Sequence, residues 1–128
     1  MTSWTSDELK RVGQAEELEI AGRESDNSLR QATIIWVVRV EDDLYVRAVN
    51  GRSSPWFKGT QLRHEGRVRA GGVEKDVRFV EIDAQDDLND RIDAAYNSKY
   101  RQYAQAYIDS VTNSKARSAT IRLVPAGG

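Results

Sequence analysis

Apolar and polar residues alternate along this chain in short runs, and the period changes several times. At the start, Leu9, Val12 and then residues 15–18 space apolar positions along one helical face. Thr5 and Glu8 stand three apart as in a capping box, and Asp7 and Glu8 suit the positive end of a first turn. Gly13 weakens that helix by up to about 1 kcal/mol. From Leu18 the period drops to two, with Leu18, Ile20 and Gly22 alternating with Glu17, Glu19 and Ala21. Residues 24–31 (ESDNSLRQ) are turn formers. Residues 32–40 (ATIIWVVRV) predict the clearest strand, with five of nine Val or Ile, and so apolar a run implies cover on both faces. Glu41-Asp42-Asp43 turns the chain into residues 44–49, where Leu44, Val46 and Ala48 share a face, so the two runs predict a hairpin.

Asn50-Gly51 predicts a turn, and Pro55 fits the first position of a short helix capped by Ser54. Trp56, Phe57, Thr60 and Leu62 would form its apolar face. Strands resume at 66–70 and 73–82 around Gly71-Gly72, a two-residue hairpin turn. Leu88, Ile92, Ala95, Tyr96, Tyr100, Tyr103 and Tyr107 then recur at spacings of 3, 4 and 7, which predicts one long helix over 83–108 capped by Asp83 or Asp86. Asp87 and Arg91 give it a favourable i,i+4 pair. Residues 110–114 read as loop and 120–124 as a last strand closed by Pro125. The sum is α+β: about six hairpin-joined strands without βαβ alternation, hence an antiparallel sheet. A small, partly open barrel is the economical form at this size, because closure removes exposed edges.

Length and composition narrow the chemistry. At 128 residues the chain reads as one domain, 1–128. Cysteine is absent and His64 is the sole histidine, which excludes disulfides and thiolates and leaves a multi-histidine metal centre or a Ser-His-Asp triad strained readings. Net charge of −1 excludes a protein built to coat nucleic acid. The longest apolar run, 34–38, is far short of the roughly 20 residues of a membrane span. With no secretory layout at its amino end, the chain reads as soluble and cytoplasmic, without a membrane partner.

The charge is unevenly spread. Residues 44–80 hold eight Lys or Arg against three acids. Either these side chains point alternately to water, or their field serves an anionic small-molecule ligand. Within them, Arg52-Ser53-Ser54-Pro55-Trp56-Phe57-Lys58 places two hydroxyls and two cations at a helix start, which suits a phosphate, with Trp56 as a wall for an aromatic ring. A plain N-cap with a hydrophobic anchor explains the same residues. Neither a Walker loop nor a dinucleotide glycine pattern is present. His64, between Arg63 and Glu65, is a solvated turn histidine or a proton donor. The Tyr96, Tyr100, Tyr103, Tyr107 stripe packs on a sheet or across a dimer, or lines a pocket. Asp90, Asp93 and Asp109 read as solvated helix-face or cap residues.

The run from Ile34 to Ile82 (hairpin, GRSSPWFKG, RVRAGG, strand) resembles the flavin- and deazaflavin-binding split-barrel proteins, the pyridoxamine phosphate oxidase-like group. Nearly the whole chain is similar to the family called domain of unknown function 2255, through TSDELKRVGQAEELEI, IWVVRVEDDLYVRAVNGRSSPWFKG, RVRAGGVEKDVRF, DAAYNSKY and ARSATIRLVP. The resemblance implies a split β-barrel, usually a homodimer, holding FMN or a deazaflavin near the subunit interface. It implies that Arg47 lies on the strand that contacts the cofactor phosphate. Arg52, Ser53, Ser54 and Lys58 match the following phosphate-side loop, with Trp56 beside it, and Trp36 and Val38 would border the ring. Lys58-Gly59-Thr60 stands where the deazaflavin pattern commonly has Asn-Leu. Two functions follow. One is a flavin- or deazaflavin-dependent oxidoreductase that needs no catalytic side chain of its own. The other is a cofactor-free barrel that binds another anionic or aromatic small molecule, which the departure after Trp56 favours. A partner-binding dimer joined through the tyrosine face is the third expectation.

Overall fold

The structure is a computed structural model and describes residues 3–126. Residues 1, 2, 127 and 128, counted in the expected domain 1–128, lie outside the described residues. Helix α1 (Ser6–Gln14) starts on the expected capping box, with both reciprocal bonds between Thr5 and Glu8 present. It ends earlier than its apolar stripe predicts. Ala15 is extended, and Leu18 opens strand β1 (Leu18–Gly22) instead of closing the helix.

The expected strand over 32–40 is two strands. β2 (Thr33–Ile35) pairs with β1, β3 (Val38–Val40) pairs with β4 (Asp43–Arg47), and Trp36 and Val37 belong to neither ladder. The remaining strands are β5 (Glu65–Ala70), β6 (Val73–Ile82) and β7 (Thr120–Pro125), and every pairing is antiparallel. The order β2-β1-β5-β6-β7-β4-β3 puts β2 and β3 at opposite edges of one sheet. A flat sheet of seven strands is roughly 29 Å across. Three peptide steps, from Ile35 to Val38, span at most about 11 Å. The sheet therefore curls until its edges nearly meet, and the fold is the α+β split β-barrel that the chain resembles, with seven strands rather than six. The apolar run is not covered throughout, since Ile34 is 61% exposed.

Backbone polar groups at the split find side-chain partners in place of a ladder. The Val37 amide donates to the Tyr100 hydroxyl (3.3 Å), and the Val37 carbonyl accepts from Lys99 Nζ (2.6 Å) and from that hydroxyl (3.2 Å). The single Tyr100 hydroxyl proton is shared with the Glu16 carbonyl, the nearer acceptor at 2.7 Å. Where the chain turns or strands crowd, glycine is required. Gly71 and Gly72 both have positive φ in the β5–β6 hairpin. A Cβ at Gly66 would stand 2.0 Å from the Ala21 carbonyl oxygen.

Two buried clusters flank the strands. The barrel interior holds Leu18, Ile20, Leu44, Val46, Ala48, Phe57, Val68, Phe79, Ile121 and Leu123. Leu44, Val46 and Ala48 share that face as their alternation predicts. Phe57 enters it from α2 (Pro55–Thr60), which follows a single 3₁₀ turn (Gly51–Ser53) and has Pro55 in its first turn. Leu62 stays 54% exposed, outside the expected apolar face. Each fully buried aliphatic or aromatic side chain contributes about 1.5–3 kcal/mol.

The other cluster lies outside the barrel under the helices, with Val38, Val40, Tyr45, Ile92, Tyr96, Tyr100, Ile108 and Val111. Here the expected single helix is broken. α3 (Leu88–Lys99) ends at Tyr100, and α4 (Gln105–Thr112) resumes on a new axis. No Gly or Pro lies between them, so tertiary packing makes the break. The Tyr100 ring is fixed beneath Trp36, and α4 turns to bury Ile108 and Val111. The tyrosine stripe divides accordingly. Tyr96 and Tyr100 are buried, while Tyr107 is 62% exposed. The expected loop over 110–114 is helical on both sides of Asn113, whose side chain caps α5 (Ser114–Arg117) by accepting from the Ala116 amide at 2.9 Å.

Candidate functional site

A cleft of about 490 Å³ opens where the edge strand β2, helix α2 and helix α4 approach one another. β2 and the split contribute Ile34, Ile35 and Trp36. Val49 follows β4, and Trp56 comes from α2. Tyr103 comes from the turn between α3 and α4, Tyr107, Ser110 and Val111 come from α4, and Arg47 forms part of the wall. Trp36 is held rigidly, its ring stacked on Tyr100 at 3.8 Å with an interplanar angle of 2°, and Tyr103 lies against it at 5.0 Å. Trp56 meets Phe57 edge-on at 6.2 Å, which ties it to the barrel core. Three of the large apolar side chains most exposed in the fold, Ile34, Val49 and Tyr107, gather at this one cleft.

Arg47 is the charged member of the wall, and it is wholly occupied. Its Nε donates to Thr120 Oγ1 (2.9 Å). Nη1 donates to Asp93 and to the Val111 carbonyl (2.9 Å). Nη2 donates to the Asn89 carbonyl (3.2 Å) and Asn89 Oδ1 (2.9 Å). A guanidinium has five N–H donors, and all five are used. Asp93, expected on a solvated helix face, is the counter-ion of this buried group, and it also accepts from Arg117 Nε at 3.0 Å. Asp90 pairs with Arg117 at 2.6 Å, and Asp109 accepts from Gln105 on the exposed side of α4.

The other expected contacts lie elsewhere. Val38 is fully buried in the helix-covered cluster and does not line the cleft. Arg52 Nη1 donates to Glu81 Oε1 (2.7 Å) and to the Ser118 carbonyl (2.9 Å). Ser53 donates to the Asn50 carbonyl at 3.1 Å, and Ser54 is buried at the start of α2 without a side-chain capping bond. Lys58 is exposed in a separate shallow hollow with Arg30 and Ser53. Arg47, Arg52 and Lys58 thus face three different surroundings. The net positive stretch is also largely compensated. Arg47, Arg52, Arg63, Arg67, Arg69 and Lys75 each pair with a carboxylate, four of which (Asp93, Glu81, Glu19 and Glu8) are supplied from outside residues 44–80. His64 is exposed at the turn into β5 with φ of 56°, and its backbone carbonyl accepts from the Phe79 amide.

Below the cleft, burial shifts the titration of several groups. Lys99 is brought from its ordinary 10.5 to about 8, opposed by the Glu16 carboxylate. Burial pushes the Tyr96 and Tyr100 hydroxyls up. Tyr96 Oη is buried with no hydrogen-bond partner. Among the described residues, no cluster of three or more His, Cys, Asp or Glu could hold a metal ion, and no helix is long and apolar enough to cross a membrane. Ile34, Ile35, Val49, Ser110 and Val111 escaped the sequence reading because each sits in a stretch read as plain core or loop. The signals that pointed here were Trp36, Trp56 and Arg47, read as ligand contacts, and the tyrosine stripe read as a pocket lining.

No curated protein matches the chain significantly. Solved structures do. The heme storage protein HutZ from Vibrio cholerae superposes with a TM-score of 0.70 at 12% identity, over 96% of this chain and 91% of that one. A putative pyridoxamine 5'-phosphate oxidase from Listeria innocua gives 0.62 at 15% identity over 93% and 90%. An FAD-binding protein from Mesorhizobium loti gives 0.53 at 12% identity over 96% and 89%. At these identities the likeness is one of fold. The model of the family described as "Uncharacterized protein conserved in bacteria (DUF2255)" matches residues 8–123, and the chain belongs to that family.

Proposed function

We propose that this protein binds a small molecule through a planar aromatic ring, of flavin type, in the cleft between β2, α2 and α4, and that its reaction class is flavin- or deazaflavin-dependent oxidoreduction in a homodimer. The observation that carries this reading is the convergence of Trp36, Trp56, Tyr103 and Tyr107 on one cavity of about 490 Å³. Ligand sites have volumes of roughly 300–1,000 Å³ and mostly apolar, aromatic walls. Similar folds described as FAD-binding, as a pyridoxamine phosphate oxidase and as a heme storage protein support a cofactor-sized occupant.

Of a flavin-type group, the ring finds its match in these walls, and a phosphate does not find one in Arg47. When bound, such a group supplies hydride transfer. The side chains here supply stacking surfaces and exclude water. None of the lining residues is a carboxylate, histidine or lysine, so the wall is not equipped for acid–base hydrolysis. The apolar rim formed by Ile34, Val49 and Tyr107 is suited to cover by a second copy. Arg47's closed network favours a second reading, a cofactor-free barrel that binds another aromatic small molecule.

Tryptophan fluorescence titrated with FMN, FAD and a deazaflavin, beside the visible spectrum of the purified protein, tests the proposal. Quenching that is lost in Trp56→Ala is expected. No chromophore and no quenching by any of the three ends the flavin reading. Thermal stabilisation by a non-flavin aromatic metabolite then carries the second.

A further inference from the structure

We infer that the cleft selects an uncharged ring: the part of the ligand that enters between Trp36, Trp56 and Arg47 carries no phosphate, sulfonate or carboxylate. The inference rests on the reading of this cleft as an aromatic ligand site and adds the ligand's charge class.

Arg47 is the one charged side chain among the described residues of the wall, and its side chain is completely buried. All five of its N–H donors go to Thr120, Asp93, Val111 and Asn89. Turning the guanidinium toward an incoming anion would take a donor from the Val111 and Asn89 carbonyls and leave the Asp93 carboxylate to Arg117 alone. The charge it brings is already cancelled by Asp93, which is shared with Arg117. An anion entering the cleft would therefore lose its water without gaining a cation.

The donors that do remain are neutral. The indole N–H groups of Trp36 and Trp56 and the Tyr107 hydroxyl make no hydrogen bond with any described residue, while Ser110 donates to the Tyr107 carbonyl at 2.5 Å. Indole and phenol donors match a ring carbonyl, not a dianion. Lys58 on α2, a cation without a carboxylate partner among the described residues, lies in a different hollow.

The test compares two pairs on the full-length protein, each matched except for a charge on the ring itself: lumiflavin against a ring-carboxylated lumiflavin, and phenylnaphthylamine against anilinonaphthalene sulfonate. Tryptophan quenching and probe emission report binding. The uncharged member of each pair is expected to bind at least about tenfold more tightly, a difference of about 1.4 kcal/mol. Its affinity should be unchanged between about 50 and about 500 mM salt. Trp56→Ala and Trp36→Ala should each weaken it. Equal or tighter binding of the anionic member, or affinity that falls with salt, overturns the inference and leaves the flavin reading standing. Selective binding of phenylnaphthylamine with neither flavin bound supports the inference and removes the flavin reading. Failure of both uncharged probes overturns both.

Discussion

Arg47 and Arg52 lie five residues apart and read alike in the sequence, yet they occupy opposite electrostatic situations. Arg47 is 2% exposed and held by α3, α4 and β7 through five bonds. Arg52 is half exposed, pairs with Glu81 and lies with its guanidinium carbon 5.1 Å over the Phe57 ring. The difference teaches that a cation on a strand covered on both faces is a structural fastener, whereas a cation on the loop beyond it is free to be changed. β4 shows why. Leu44 and Val46 face the barrel, so Tyr45 and Arg47 must face the helices, and a buried guanidinium there demands acceptors.

The largest expected effect breaks the fastener. Arg47→Ala leaves Asp93 and Asn89 without their buried donor and should cost about 3–5 kcal/mol, read from the urea midpoint. A loss below about 1 kcal/mol would erase the distinction between the two arginines. Next, Tyr100→Phe removes the hydroxyl that serves Val37 and Glu16, an expected loss of about 1–3 kcal/mol. Tyr96→Phe removes a hydroxyl with no partner and should be neutral or stabilising, so equal losses in the two variants would sink the assignment of that role to Tyr100.

A third test concerns a cation on the helical side that is outside the Arg47 network. Lys99 titrates at about 8 when folded against 10.5 ordinarily. Between those values the unfolded chain binds more protons, so stability climbs as pH rises through the window, and the penalty is fully present below about pH 8. Above about pH 10 the buried Tyr96 and Tyr100 resist ionising while unfolded phenols do not, which reverses the slope. Lys99→Met should abolish the rising limb in urea titrations across that range; an unaltered limb would assign it to another group. The smallest effect belongs to the loop. Arg52→Ala with Lys58→Ala should change stability by about 0.5 kcal/mol or less and leave ring binding in the cleft untouched.

Local patterns were legible. The Thr5–Glu8 cap, the Gly71-Gly72 hairpin and the inward stripe of Leu44, Val46 and Ala48 each depend on residues within a few positions of one another. The split-barrel architecture followed from those and from the family resemblance. What stayed hidden depends on distant partners. Arg47's acceptors lie 42 to 73 residues further along, at Asn89, Asp93, Val111 and Thr120. The interruption at Trp36-Val37 reflects sheet closure, and the end of α3 at Tyr100 reflects a ring held under Trp36. Neither leaves a Gly or Pro behind to mark it. The cleft was half visible, since Trp36 and Trp56 were named for it while Ile34 and Val49 passed as buried strand.

The placement of β2 and β3 at opposite rims, three ladder pairs each, has a mechanical result. Either flap can peel away without dragging its chain neighbour, because no ladder carries tension across residues 36 and 37. The five central strands would keep their pairing while the mouth beside the Trp36 ring gapes. Two side chains pin that buckle at Val37, the Tyr100 hydroxyl and Lys99 Nζ, so widening the entrance means releasing both.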